Sequence, residues 1–200
     1  MGRTSDARQR LLESGVELMH ERGYTAVGVG ELCARAGVNK GSFYYFFPSK
    51  QDLALGVIDR IAATTRDPLV EMADGSDPPL QRFQDFFRTI YLRQKEMRDQ
   101  AGKMLGCPLG NLALEMSTRD PKLRRKLEEV FGQYLRSFQK VLDQAVQRGE
   151  LPPQDTGRAA RSVMALLEGA ILMAKTADDP EFLNGLEHEA LRLVGCSGRE

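Results

Sequence analysis

Apolar positions recur along this chain with a helical period. Across Asp6–Arg22, Leu11, Leu12, Gly15, Val16, Leu18 and Met19 fall on one stripe with polar residues between them. Ser5 or Asp6 is placed to cap that helix and Gly23 to stop it. A short second helix is predicted at about Val29–Ala36, ended by Gly37, and Asn39 can cap a third over about Lys40–Phe47. Pro48-Ser49-Lys50 breaks the chain, and Ser49 can cap a long helix from Lys50 to about Met72. The run Ala73–Pro79 reads as a loop by composition. Helical patterning resumes at about Leu80–Gly102, Pro108–Ser117, Pro121–Arg148, Thr156–Ala177 and Pro180–Val194. Pro108, Pro121 and Pro180 each stand at a first helical position, where a fixed φ and a missing N–H cost nothing. There is no strand-type alternation and no internal repeat, so the predicted class is all-α with about nine helices.

Composition narrows the functional classes. Apolar residues make up 42% and charged residues 28% of the 200 positions, ordinary for a globular chain with a real core. No apolar run reaches the length of a membrane span, so no membrane partner is expected. The segment Met1–Arg10 is polar, carries three arginines and lacks the apolar stretch of a secretory signal, which predicts a cytoplasmic protein. Lys and Arg total 28 and Asp and Glu total 28, so bulk charge does not mark a nucleic-acid-coating protein. Only one face of a DNA-binding protein needs to be basic, and the first fifty residues hold seven Lys/Arg against five acids. The cysteines Cys33, Cys107 and Cys196 are far apart and without C-x-x-C spacing, so three reduced thiols are expected, with no metal site and no cofactor. His20 and His188 lie in separate amphipathic segments, and Gly28-Val29-Gly30 lacks a preceding strand and a third glycine. Nothing in these patterns assembles a catalytic site, and the chain is not expected to be an enzyme.

The most informative segment is Glu31–Lys50. Two short helices flank a turn at Gly37-Val38-Asn39, and Leu32, Cys33, Ala36, Val38 and Phe43 are spaced to form a small core between them. A helix-turn-helix requires this build, a tight turn presenting its second helix as a probe. That helix would expose Lys40, Ser42, Tyr44 and Tyr45, with Phe43 and Phe46 turned to the core. Lys40 can neutralise a phosphate, and the hydroxyls can bond phosphates or base edges. Gly41 lets a backbone approach closely, and Lys50 opens a helix whose N-terminus attracts phosphate. With Arg35 and Asn39 alongside, these form the candidate DNA-binding set.

Gly23-Tyr24, Ala36-Gly37-Val38 and Lys40-Gly41-Ser42-Phe43-Tyr44-Tyr45-Phe46-Phe47-x-x-Lys50 resemble the N-terminal domain of the TetR family of transcriptional regulators. The resemblance implies a three-helix DNA-binding head over residues 1–49 and a helical ligand-binding and dimerisation body over residues 50–200. It further implies a homodimer on a palindromic double-stranded operator, usually as a repressor. Val27-Gly28 departs from the Thr or Ser that the family usually places there to grip a phosphate. Leu166-Leu167-Glu168-Gly169 resembles the penultimate-helix pattern, and Val163, Leu166, Leu167, Ala170, Ile171 and Ala174 suit either a dimer interface or an intrachain core.

In Gly106-Cys107-Pro108 a thiol stands directly before a helix start, where the dipole favours thiolate. Lys175, late in the penultimate helix, is a candidate cation beside it. A Gly-Cys and an Ala-Lys so placed are similar to the NemR-like members of the family, whose response to electrophiles and oxidants the resemblance carries onto Cys107 as an expectation. Cys107 reads equally as a small packing residue, while Cys33 belongs to the helix-turn-helix core. Phe83, Phe87, Tyr91, Met104, Asn111, Glu115, Glu168 and Met173, with Phe86, sketch an effector pocket, a composition that also describes a helical core. The expected function is DNA binding released by a small effector or by modification of Cys107. The alternative is reversible binding of an apolar small molecule, with Cys107 structural only.

Overall fold

The computed structural model describes residues 2–196, with side chains from residue 6 onward. The described residues form nine α-helices and one 3-10 turn, with no strand. In chain order these are α1 (Gly2–Arg22), α2 (Val29–Ala36), α3 (Lys40–Phe46), α4 (Lys50–Asp74), α5 (Pro79–Ala101), α6 (Pro108–Met116), α7 (Pro121–Gln147), α8 (Thr156–Ala177), the 3-10 turn Pro180–Leu183 and α9 (Leu186–Leu193). Helix α1 starts earlier than its pattern suggests. Asp6 lies inside it and forms an ion pair with Arg10 one turn on instead of capping, and the side chain of Ser5 lies outside the described residues. The single helix expected over Pro180–Val194 is interrupted, because Gly185 takes φ 78° between the 3-10 turn and α9. No described helix is long and apolar enough to cross a membrane.

By packing, the chain divides into two compact units, Met1–Thr64 with Pro108–Glu129, and Thr65–Cys107 with Val130–Glu200. In the first, α1 packs on α2, α3 and α6. Leu11, Leu18, Val27, Leu32, Phe43, Leu53, Val57 and Ile58 fill its core. Two glycines let α1 and α4 close on each other. A Cβ on Gly15 would stand 2.6 Å from Val57 Cγ2, and one on Gly56 would stand 2.9 Å from Leu12 Cδ2. Phe43 is buried as the heptapeptide's spacing implies, but Phe46 is only half-buried. Phe47 takes the second core position, because it leaves α3 in an extended conformation (φ −134°) and tilts back towards Phe43, with 6.1 Å between ring centroids.

The second unit is organised around four phenylalanines. Phe83 and Phe87 are 5.1 Å apart and Phe86 and Phe138 5.3 Å apart, in the tilted and edge-on arrangements that aromatic quadrupoles favour. Buried Arg82 donates to the carbonyls of Met72 (2.6 Å) and Asp77 (2.8 Å) and to Gln144. Gln144 in turn donates to the Ala73 carbonyl at 3.1 Å. These bonds satisfy carbonyls that the end of α4 leaves without helical partners. Helix α8 ends at Asp178 in the left-handed region (φ 53°), and its carboxylate accepts the Met104 N–H at 2.7 Å.

Candidate nucleic-acid interface and effector site

The turn between α2 and α3 is built as the sequence implies. Gly37 sits at φ 62°, ψ 40°, its N–H reaches the Ala34 carbonyl at 3.2 Å, and Val38 N–H reaches the Cys33 carbonyl at 3.0 Å. Asn39 caps α3 by accepting the Ser42 N–H at 2.7 Å. Underneath, Leu32, Cys33, Ala36 and Phe43 are buried, and burial raises the Cys33 thiol, opposed by the Lys40 charge. On the outer side Lys40 and Gly41 are exposed, and Tyr44 and Tyr45 are 54% and 75% exposed. Each phenol ring is braced edge-on, Tyr44 against Phe43 at 5.2 Å and Tyr45 against Phe46 at 4.9 Å. Large exposed aromatics on a short, capped helix form a rigid polar and aromatic probe.

The remaining candidates have other duties. Asn39 and half-buried Ser42 are joined in the α3 cap. Arg35 is ion-paired with Glu17 at 2.8 Å, both largely exposed. Lys50 points inward, donating to the carbonyls of Tyr24 and Val27 at 3.0 Å each, with its ammonium 4.2 Å from the centre of the Tyr24 ring. Burial lowers its ammonium below the ordinary lysine value, partly offset by the charge of Glu115. The chain between α1 and α2 carries carbonyls with no helical partner, and this lysine satisfies two of them. At the start of α4, Ser49 accepts the Asp52 N–H at 3.1 Å and donates to its carboxylate at 2.6 Å, so the expected serine cap is present.

Glu115 does not line an effector pocket. From α6 its carboxylate accepts the N–H groups of Tyr24 (2.8 Å) and Thr25 (2.7 Å), clasping the turn that leads into α2. Burial pushes this carboxyl up, but the hydrogen bonds from Thr25 and Tyr24 and the nearby Arg119 carry it below its ordinary value. Gly23, at φ 86°, makes room for the clasp, since a Cβ there would meet Glu115 Oε2 at 2.8 Å.

In the second unit, Phe83, Phe87 and Met104 are core residues. The Tyr91 hydroxyl donates to Glu181 at 2.8 Å. Met173 is 50% exposed and Lys175 is exposed, both on α8. Asn111 is half-buried on α6, in the first unit. Two of the expected sensor residues do meet. The Cys107 thiol is hydrogen-bonded to the Glu168 carboxyl of α8. Burial raises that carboxyl above its ordinary value, and the thiol hydrogen bond opposes the shift. Lys175 lies seven residues further along the same stripe, on the order of 10 Å along the axis.

Two residues that the sequence reading passed over complete the group. The Tyr134 phenol of α7 is hydrogen-bonded to the Thr65 hydroxyl of α4. Tyr134 is pushed up to about 12, first by burial, with Thr65 opposing and the charges of Cys107 and Glu168 adding to the rise. The available signal was a phenol on the α7 stripe of Leu127, Val130, Phe138 and Val141, where every other member is a buried hydrocarbon.

Comparison with known proteins accounts for both halves of the chain. A family described as bacterial regulatory proteins, tetR family, matches residues 11–57, and a tetracyclin repressor-like C-terminal domain matches residues 79–188. The chain belongs to the TetR family. The transcriptional regulator AcuR of Cereibacter sphaeroides is 35% identical over 89% of this chain and 80% of its own. The HTH-type transcriptional repressor NemR of Escherichia coli K12 is 29% identical over 92% of each chain. The crystal structure of regulatory protein TetR from Rhodobacter sphaeroides is 33% identical and superposes with a TM-score of 0.83 over 94% of this chain and 98% of its own. As a TetR-family member the protein is a DNA-binding transcriptional regulator and not an enzyme. TetR regulators bind DNA and ligands and are usually dimers.

Proposed function

We propose that this TetR-family protein is a cytoplasmic repressor that binds a near-palindromic operator as a homodimer and is released by a small effector or by electrophile or oxidant modification at Cys107. The observation that carries the DNA-binding part is the exposure of Lys40, Tyr44 and Tyr45 on the braced, capped α3. Two such probes enter successive major grooves about 34–36 Å apart. The remaining contacts come from Arg35, Asn39, Gly41, Ser42 and the N-terminal turn of α4, where Lys50 contributes its backbone while its ammonium holds the preceding turn. Dimerisation uses the outer face of α8, which exposes Leu172 and Met173 beside Ala165 and Gly169. Cys107 immediately precedes α6, and α6 carries the Glu115 clasp on the turn before α2. A change at Cys107 therefore has a covalent route to the element that orients the probe. It releases DNA only to the extent that it favours the non-binding conformation.

Gel-shift titration with duplex from the chain's own upstream promoter tests this. The wild type binds with steep salt dependence, and Lys40→Ala weakens binding and reduces the slope of log K against log salt by about one. Equal affinity for unrelated duplex, or a Lys40→Ala protein with unchanged affinity and slope, refutes the assignment of α3 as the probe.

A second reading is favoured by one feature of the body. A thiol that donates to a carboxylate is held in its protonated form, which suits a structural Cys107 and a reversibly bound apolar effector. Under that reading Cys107→Ser still releases operator on effector binding. Under the first, Cys107→Ser binds DNA normally and no longer responds to N-ethylmaleimide or hypochlorite.

A further inference from the structure

We propose that Cys107, Glu168 and Tyr134 form an addition site for α,β-unsaturated carbonyl compounds, with Glu168 accepting the thiol proton and Tyr134 donating a hydrogen bond to the carbonyl oxygen. The proposal rests on Cys107 being the effector site and specifies the chemistry of that site. Four segments of one unit bring the groups together. Thr65 comes from α4, Cys107 from the residue before α6, Tyr134 from α7 and Glu168 from α8. Cys107 and Tyr134 both pack against the apolar core of that unit.

The chemistry follows from what each group can do. A thiol is a weak nucleophile until its proton leaves, and the atom hydrogen-bonded to it here is a carboxyl oxygen. Burial makes Glu168 a stronger proton acceptor than an exposed glutamate, because its conjugate acid is weaker. The same carboxylate would block attack by a mechanism that relied on a standing thiolate, since it disfavours a second negative charge beside it. Proton transfer concerted with bond formation avoids that charge. Tyr134 remains a phenol at any physiological pH, so it is a permanent donor, anchored through Thr65, for an oxygen that gains negative charge. A site with a proton acceptor at the sulfur and a fixed donor for a developing oxyanion matches conjugate addition.

The step balances without a co-reactant. The Cys107 Sγ–Cβ bond forms as the carbon–carbon π bond breaks and its electron pair moves to the carbonyl oxygen. The thiol proton passes to Glu168, the enolate oxygen is held by the Tyr134 hydroxyl, and the proton then returns to the α carbon as the carbonyl re-forms. The product is a thioether, with no leaving group and no change of oxidation state outside the adduct.

The test is site-resolved alkylation kinetics on the full chain, read at Cys107 by mass spectrometry. The probes are N-ethylmaleimide, which forms an enolate, and iodoacetamide, which reacts by displacement. Glu168→Gln slows both reactions by about tenfold or more, within the range for loss of a general base. Tyr134→Phe slows maleimide and leaves iodoacetamide unchanged. If Glu168→Gln reacts as fast as wild type or faster, the carboxylate only holds the thiol protonated and the proposal fails. A measurement that needs no variant runs alongside. The maleimide-to-iodoacetamide rate ratio at wild-type Cys107 exceeds that of glutathione by about tenfold, again the scale of one positioned proton donor or acceptor, and an equal ratio overturns the proposal even where a variant fails to fold. Operator release separates this proposal from the function it rests on. Glu168-dependent alkylation without release leaves the addition site standing and refutes Cys107 as the effector site. Release with accelerated Glu168→Gln alkylation does the reverse.

Discussion

Replacing Glu115 by alanine isolates the clasp between α6 and the turn before α2. The wild-type carboxylate accepts two backbone N–H groups, Tyr24 at 2.8 Å and Thr25 at 2.7 Å. Hydrogen bonds to a charged acceptor contribute roughly 1.5–3 kcal/mol each when buried. Thr25 is exposed, so water replaces most of its bond, whereas half-buried Tyr24 loses more. The expected net loss is about 2 kcal/mol, which for a chain of this size lowers the melting temperature by about 4–8 °C. The pH dependence has a definite sign. Because the folded carboxyl sits below its ordinary value of 4.5, the unfolded state binds the proton first. The stabilisation is therefore complete above about pH 4.5 and is lost as pH falls through the folded-state value. Glu115→Ala should flatten the acid limb of the stability curve as well as lower it. Thermal unfolding between pH 3 and 7, with amide exchange at Tyr24 and Thr25, reads both effects. A variant within about 0.5 kcal/mol of wild type, the scatter of ordinary surface changes, with unchanged exchange at those two amides, would refute the clasp and with it the covalent route from Cys107 to the probe.

Two further substitutions probe separate links. Gly28 opens α2 at φ −93° with no side-chain cap and open space where a Cβ would stand. Gly28→Ser should raise stability by a few tenths of a kcal/mol and tighten operator binding by restoring a hydroxyl phosphate contact, and weaker binding in the gel shift would show that this position does not face the backbone of DNA. Arg82→Met keeps the apolar stem but leaves the carbonyls of Met72 and Asp77 and the Gln144 side chain without their donor. It should cost about 2–4 kcal/mol in urea unfolding, and a loss below about 1 kcal/mol would mean that water substitutes for the guanidinium.

The amino-acid order alone carried the helical class, the helix starts at Pro108, Pro121 and Pro180, and the architecture of the probe. Those features are local. A glycine at φ 62°, an asparagine bonded three residues on and apolar residues one turn apart need no distant partner to be recognised. The same locality explains why Lys40, Tyr44 and Tyr45 were legible as exposed, and why the break at Gly185 was not, since the pattern from Pro180 onward stays apolar and helical through it. What tertiary packing decided is where long, polar side chains go. Lys50 reads as a phosphate ligand at a helix start, yet the carbonyls of Tyr24 and Val27 lie more than twenty residues earlier. Glu115 reads as a pocket residue, yet two amides some ninety residues away claim it. Lys175 reads as the cation for Cys107, yet a carboxyl one helical stripe position nearer meets the thiol. Helical period places a residue on a face, but the hydrogen-bond partner of a charged group depends on which unpaired backbone or buried polar group the folded chain brings within 3 Å of it, and sequence spacing does not encode that distance.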